Sequence, residues 1–286
     1  MKNAFTLHGA IYSRFTRDVF PQGTASDVMM RAIARLVGEQ ADRLINQTGI
    51  AIEQHLMTST ALAAPFNKGD LRWSDASSMF ADVCRHPPRS LLNSYECSGW
   101  GYVLRYLDRI TDGNRMVLVS IFDANIYEWD YWKVHYEWGT SGFGLGTLLI
   151  ELADTPDALK VSNARSSNPI AEFAIEIRKQ LQSNPDLIGA LPFFPLVTQG
   201  IFNNTLKQFP RLPDLYEQWG HCFGSDPWLS IVLSRINGNP FGDVKRFLAC
   251  SLAFSGYFSL AKVNVADNAY LEFVPSANDV MEAYES

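Results

Sequence analysis

The sequence predicts an α/β fold built from two similar halves. Three observations carry this expectation. Segments of helical period alternate with continuous apolar runs, the pattern of strands covered by helices on both faces. The 286 residues are 47% hydrophobic, enough for one large domain or two fused halves with a sizeable core. The second half also repeats the order of the first, running helix, turn, buried strand, glycine turn, strand. GNRMVLVSIF and GDVKRFLACSL occupy matching places. The best internal boundary is Asp154-Thr155-Pro156-Asp157, giving an N-terminal half of residues 1–155 and a shorter C-terminal half of residues 156–286.

Each element has a local reason. Phe5–Tyr12 reads as a strand. Ser26 or Asp27 opens a helix to about Asn46, with Val28, Ala32, Leu36, Leu44 and Ile45 near one face, and Thr48-Gly49 breaks it. Ile50–Thr60 reads as a strand, Ala63–Arg72 as a polar loop, and Ser74–Cys84 as a helix stopped by Pro87-Pro88. Trp100, Val103, Leu104 and Leu107 form one face of a helix that ends at Asp112-Gly113-Asn114. Met116–Phe122 is a buried strand. The aromatic stretch Ile126–Gly139 and the glycine run Gly142–Gly146 lead into a strand at Thr147–Leu152. Beyond the boundary, helices are expected at Pro169–Gln182, Ile201–Phe209 and Asp226–Ile236. The run Phe193–Val197 is short and apolar. Strands follow at Phe247–Leu252 and Tyr257–Val265, and the last twenty residues are an acidic edge or tail.

Cys97 sits where a helix begins. Free backbone N–H groups and the helix dipole there favour a thiolate, and Ser98 and Gly99 leave room for a ligand. A lone cysteine in an apolar segment also reads as a small buried hydrophobe. His221 beside Cys222 suggests a dyad, although neighbours in a strand point opposite ways. Asp226 reads as a helix cap, and His135 as a packing residue. The stretch Trp129–Trp138 reads as an interface, a lid or a packed loop.

Other classes are disfavoured. The net charge is −6 and no basic run reaches five residues, which argues against nucleic acid. No apolar run reaches the length of a membrane span, and the N-terminus has no signal-peptide core. Cys84, Cys97, Cys222 and Cys250 are widely spaced. That argues against a disulfide framework or a metal site and for a reducing cytoplasm. Gly142–Gly146 does not match a nucleotide-binding glycine pattern, and no cofactor is expected.

Three stretches stand in a familiar order. They are Glu96-Cys97-Ser98-Gly99-Trp100 before a helix, Gly113 leading into Val117-Leu118-Val119-Ser120, and the closing FGDVKRFLACSLAFSGYFSLAKV. Together they resemble the thiolase-fold condensing enzymes of the ketoacyl-ACP synthase III type. The resemblance implies a thiolase-like fold of two halves in a layered αβαβα architecture, with Cys97 as acyl acceptor. It also implies a His and an Asn that stabilise the thioester carbonyl. The place of that His is held by Leu196, and the place of the Asn falls near His221-Cys222-Phe223-Gly224.

These departures resemble the short, degenerate PqsB-type subunits of heterodimeric condensing enzymes. That reading implies a partner subunit lacking a complete Cys-His-Asn site. It would pair with a full-length ketoacyl synthase III-like protein in a heterodimer or heterotetramer, use acyl-CoA or acyl-ACP through the complex, and serve specialised-metabolite biosynthesis. Met116–Phe122 is then expected near the partner. The alternative is a self-sufficient, Cys97-dependent acyltransferase that needs no decarboxylation. A homodimeric binding protein of the same fold is a third reading.

Overall fold

The computed structural model describes residues 3–15, 20, 23–111, 115–126, 133–136, 138–238, 241–242 and 244–276. The turn Asp112-Gly113-Asn114, Trp129 and the acidic end from residue 277 lie outside the described residues. The first half contains β1 (Phe5–Phe15), α1 (Ser26–Thr48), β2 (Gln54–Thr58), α2 (Ala63–Lys68), α3 (Trp73–Val83) and β3 (Leu91–Leu92). A 3-10 turn (Glu96–Ser98), α4 (Gly99–Ile110) and β4 (Met116–Asp123) follow. Then come a small hairpin, β5 (Val134–His135) with β6 (Gly139–Thr140), and β7 (Phe143–Glu151). The second half contains β8 (Leu159–Asn163), α5 (Pro169–Ser183), β9 (Ile188–Ala190), α6 (Leu196–Thr205) and α7 (Tyr216–Trp219). It continues with a second 3-10 turn (Phe223–Ser225), α8 (Asp226–Ile236), β10 (Arg246–Leu252) and β11 (Tyr257–Val274).

The strands form one sheet in the order β3-β2-β4-β7-β1-β11-β10-β9, with β8 also on β11. The order repeats between the halves. In the first, β2 is parallel to β4, β4 antiparallel to β7, and β7 antiparallel to β1. In the second, β9 is parallel to β10, β10 antiparallel to β11, and β11 antiparallel to β8. Even β3 has a counterpart, because Arg211 bridges Gly189 in parallel. β4 and β10, the two runs matched in the sequence, take equivalent places.

Strand alternation sorts the side chains into layers. Val117, Val119 and Ile121 of β4 and Phe247 and Ala249 of β10 face a central layer. There α4 supplies Trp100, Val103, Leu104 and Leu107, and α8 supplies Trp228, Ile231 and Val232. Trp100 and Trp228 meet edge to face at 5.0 Å. The outer faces are covered by α1 and α3 over Met57, Phe122 and Leu145, and by α5 and α6 over Leu248, Cys250, Phe258 and Leu260. The stacking is therefore αβαβα.

The structure revises several sequence expectations. β8 and β9 were missed, since LKVSN and a three-residue strand carry too little periodicity to stand out. Part of the expected loop Ala63–Arg72 is α2, whose Pro65 sits in the first turn where a missing N–H is harmless. β11 continues to Val274 through the stretch read as an edge or tail. Met116–Phe122 is not a sheet edge. It lies between β2 and β7 and every residue of β4 is buried, so no partner can pair with it. A continuous apolar run marks a strand covered on both faces, which places it at a sheet centre.

Beside β4 lies a buried, neutral imidazole. His55 Nε2 is 2.9 Å from Ser120 Oγ, and Nδ1 is 2.6 Å from the His86 carbonyl. Nδ1–H donates to the carbonyl and Nε2 accepts from the hydroxyl, the pairing of a neutral ring. Burial holds its pKa down to about 4. The unfolded chain therefore binds more protons than the folded one between pH 6.5 and 4. The contribution of His55 is complete above pH 6.5 and falls by roughly 3 kcal/mol as the pH drops through 4. Urea unfolding at pH 7 and pH 4 checks this. The pH-dependent loss should be smaller in His55→Gln, and an equal loss would rule out His55 as its source.

Candidate active site

Two turns meet at the centre of the molecule. Glu96 opens the first 3-10 turn at φ 46°, and Phe223 opens the second at φ 52°. Side chains rarely adopt this backbone region, and such strain gathers at functional sites. Each turn runs directly into a central-layer helix, α4 or α8. The turns pack so closely that a Cβ on Gly224 would lie 3.0 Å from the Cys97 carbonyl. This places Cys97 next to the loop that carries His221.

His221 is held by its backbone. It bridges Ser141 in parallel, its N–H donates to Thr140 O at 2.8 Å, and its carbonyl accepts from Gly142 N at 2.9 Å. Gly142 is needed for this approach, since a Cβ there would lie 2.2 Å from Trp219 O. The ring stacks on Phe194 at 5.5 Å. Nε2 lies 3.5 Å from Cys97 Sγ, and Nδ1 lies 2.6 Å from Asp226 Oδ2 and 3.1 Å from Phe193 O. With Nδ1–H given to Asp226, Nε2 is the ring nitrogen that faces the thiol and can share its proton.

Asp226 is fully buried at the first position of α8. Its Oδ1 accepts from Cys222 N at 2.6 Å and its Oδ2 from Phe193 N at 2.9 Å. It therefore ties the His221 loop to the segment before α6, beyond the capping role read from sequence. Cys222 does not form the dyad suggested by its position. Its Sγ points to Trp219 O at 3.7 Å, and burial pushes its thiol far up.

Burial disfavours charge at all three groups, and their mutual attraction opposes it. For His221 burial lowers the pKa, but Asp226 more than offsets this and holds it well above the ordinary value. Burial pushes the Cys97 thiol up, while His221 pulls it down. Burial thus works against the thiolate expected from sequence, and His221 works for it. Burial also raises Asp226 against the pull of His221 and two backbone N–H groups. Nearby Asp123 is pushed up to about 7 by burial, although Thr60 N and Ala61 N donate to its Oδ1.

A cavity of about 430 Å³ opens onto Cys97 and His221. Trp138, Ile170, Phe194 and Leu252, which share one apolar cluster, line one side with Phe254. Thr60, Asn67, Asn93, Ser94 and Glu96 line another. His135 stacks on Trp138 at 3.8 Å and meets Phe254 edge-on, so the described part of Trp129–Trp138 packs beside the cavity. Leu196, where the resemblance places a His, does not line the cavity and is 73% exposed at the start of α6. Among the described residues, no group of three or more His, Cys, Asp or Glu is arranged to hold a metal, and no helix is long and apolar enough to cross a membrane.

Sequence reasoning found Cys97 but did not join it to His221 and Asp226. One available signal was the repeat itself. Ser98 precedes α4 as Ser225 precedes α8, which aligns Cys97 with Gly224 and brings the flanking His221 and Asp226 to the same centre.

Solved structures match the chain along most of its length. The tetronic acid condensing enzyme AbyA1 superposes with a TM-score of 0.61 at 13% identity, over 89% of this chain and 99% of that one. The fold is thiolase-like. ChlB3, described as an acyltransferase, matches with a TM-score of 0.60 at 10% identity, over 96% and 99% of the two chains. The 3-oxoacyl-(acyl carrier protein) synthase III of Pseudomonas aeruginosa PAO1 matches with a TM-score of 0.57 at 10% identity, over 92% and 99%. No protein-family model matches the chain, and no curated protein matches it. The thiolase-like fold is thus shared with condensing enzymes of the synthase III type and with an acyltransferase.

Proposed function

We propose that the protein is a Cys97-dependent acyltransferase that takes an acyl group from a thioester and passes it on without decarboxylation. The observation that carries this reading is the line Cys97 Sγ, His221 Nε2, His221 Nδ1, Asp226 Oδ2, with its two contacts of 3.5 and 2.6 Å. It has the form of an activated nucleophile, with a base within reach and a third group orienting the base. His221 takes the thiol proton as Sγ attacks the thioester carbonyl. The bond to the donor sulfur then breaks, and His221 returns the proton to the leaving thiolate. In the second half-reaction His221 deprotonates the acceptor, which attacks the acyl-Cys97 carbonyl and releases Sγ.

The carboxylate favours this chemistry over decarboxylative condensation. An Asn can donate N–H to a thioester carbonyl, whereas an ionised Asp only accepts. Both Asp226 oxygens are already engaged. The partner-subunit reading rests on a different observation, that Leu196 stands where the resemblance implies His and is followed by Val197, 90% exposed.

Intact-mass spectrometry separates the two. After incubation with acyl-CoA or acyl carrier protein donors, the isolated chain should gain one acyl mass, and Cys97→Ala should gain none. If instead the isolated chain stays unmodified while a co-purified full-length synthase is acylated, the partner-subunit reading replaces this one.

A further inference from the structure

We propose that the acceptor is a polyhydroxyl compound carrying no negative charge, and that a malonyl-type carboxylate is excluded. The proposal rests on the acyltransferase reading and concerns the second half-reaction. β2 pairs with β3 at Thr58 and Leu92, so the segments that follow, with Thr60 and Asn67 on one and Asn93, Ser94 and Glu96 on the other, leave the sheet side by side. They supply the polar part of the cavity lining, beside the apolar part suited to an acyl chain.

The polar part is rich in hydrogen-bonding groups. Among the described residues, Asn67 and Ser94 are exposed at the cavity mouth and Asn93 is half-buried beside them, so their amides and hydroxyl face solvent and are open to a ligand. Thr60 is 6% exposed, and its hydroxyl is buried without a partner at the cavity wall. Amides and hydroxyls both donate and accept, as alcohols do, so they match several hydroxyl groups at once. A buried group left unmatched is a penalty that the right ligand removes.

Charge narrows the class. Glu96 lines the cavity next to Cys97, held by Ser255 N at 3.3 Å, and no Lys or Arg is among the described lining residues. A second carboxylate within contact range would be disfavoured on the order of a thousandfold at an effective dielectric near 20. A neutral or amine-bearing polyol meets no such penalty. The step balances. The acyl–Sγ bond breaks and an acyl–oxygen bond forms, while the alcohol proton passes to His221 Nε2 and then to the released Cys97 thiolate.

The test starts from the isolated acyl-enzyme and follows loss of the acyl mass. Probes are glycerol, serinol, methyl glucoside and glucosamine, set against water and a malonyl N-acetylcysteamine thioester. At least one polyol should speed discharge well beyond water and yield its ester, while the malonyl thioester leaves the rate at the water level. Asn93→Ala should lower polyol-dependent discharge about tenfold more than it lowers loading, the size expected for one lost hydrogen bond. The proposal is overturned if no polyol exceeds water, or if the malonyl thioester discharges the enzyme fastest. An enzyme that never loads Cys97 overturns the acyltransferase reading itself, a result visible before any acceptor is added.

Discussion

Replacing His221 with Ala lowers the rate of acyl loading onto Cys97 by roughly 10²–10⁴, the range contributed by a positioned general base. Nothing else described touches Cys97 Sγ as His221 Nε2 does. Burial, with Glu96 and Asp123, pushes the thiol up, and His221 is the group that draws it back. The variant should therefore also shift the pH profile of Cys97 alkylation by iodoacetamide to higher pH. His221→Gln, which keeps an amide donor for Asp226 but no base, should show the same loss. Rapid-quench intact-mass measurement gives the loading rate, and circular dichroism confirms the fold. A folded variant that loads within a few-fold of the parent would remove His221 from the mechanism.

The second large effect is on stability. Asp226→Ala should cost roughly 3–5 kcal/mol, as when one member of a buried pair is removed. Three donors lose their acceptor at once: His221 Nδ1, Phe193 N and Cys222 N. All three belong to segments that carry the site, so loading should fail together with stability. Asp226→Asn retains one acceptor oxygen and should lose only about 1–2 kcal/mol, near the value of one unmade buried hydrogen bond. Denaturant unfolding measures both. If Asp226→Ala unfolds within 1 kcal/mol of the parent, the carboxylate does not hold the site together.

What could be read from the sequence follows physical lines. β4 and β10 were legible because strands buried on both faces are unbroken apolar runs. α4 was legible because Trp100, Val103, Leu104 and Leu107 keep helical spacing over a single buried face. β8 and β9 gave no such signal, being short and set by their neighbours β11 and β10. Cys97 was legible as a local feature, a small residue at the entry to a helix. Its partner was not, because His221 lies 124 residues away and only the packing of two strained turns brings the rings and sulfur together. Asp226 looked like a cap because local sequence shows a carboxylate at a helix start. It does not show that the first turn is turned inward.

The long strand β11 has a consequence for how the protein is made. It pairs with β1, β8 and β10, so the sheet of the first half shares a strand with the sheet of the second. Val263 is matched to Phe5, and Val274 to Ser13. A ribosome must therefore release almost the whole described chain before the first strand can find one of its two neighbours. Contacts of such long sequence separation close slowly. Until they close, β1 has one bare edge, and the nascent first half depends on chaperone cover or on speed to avoid pairing with another chain.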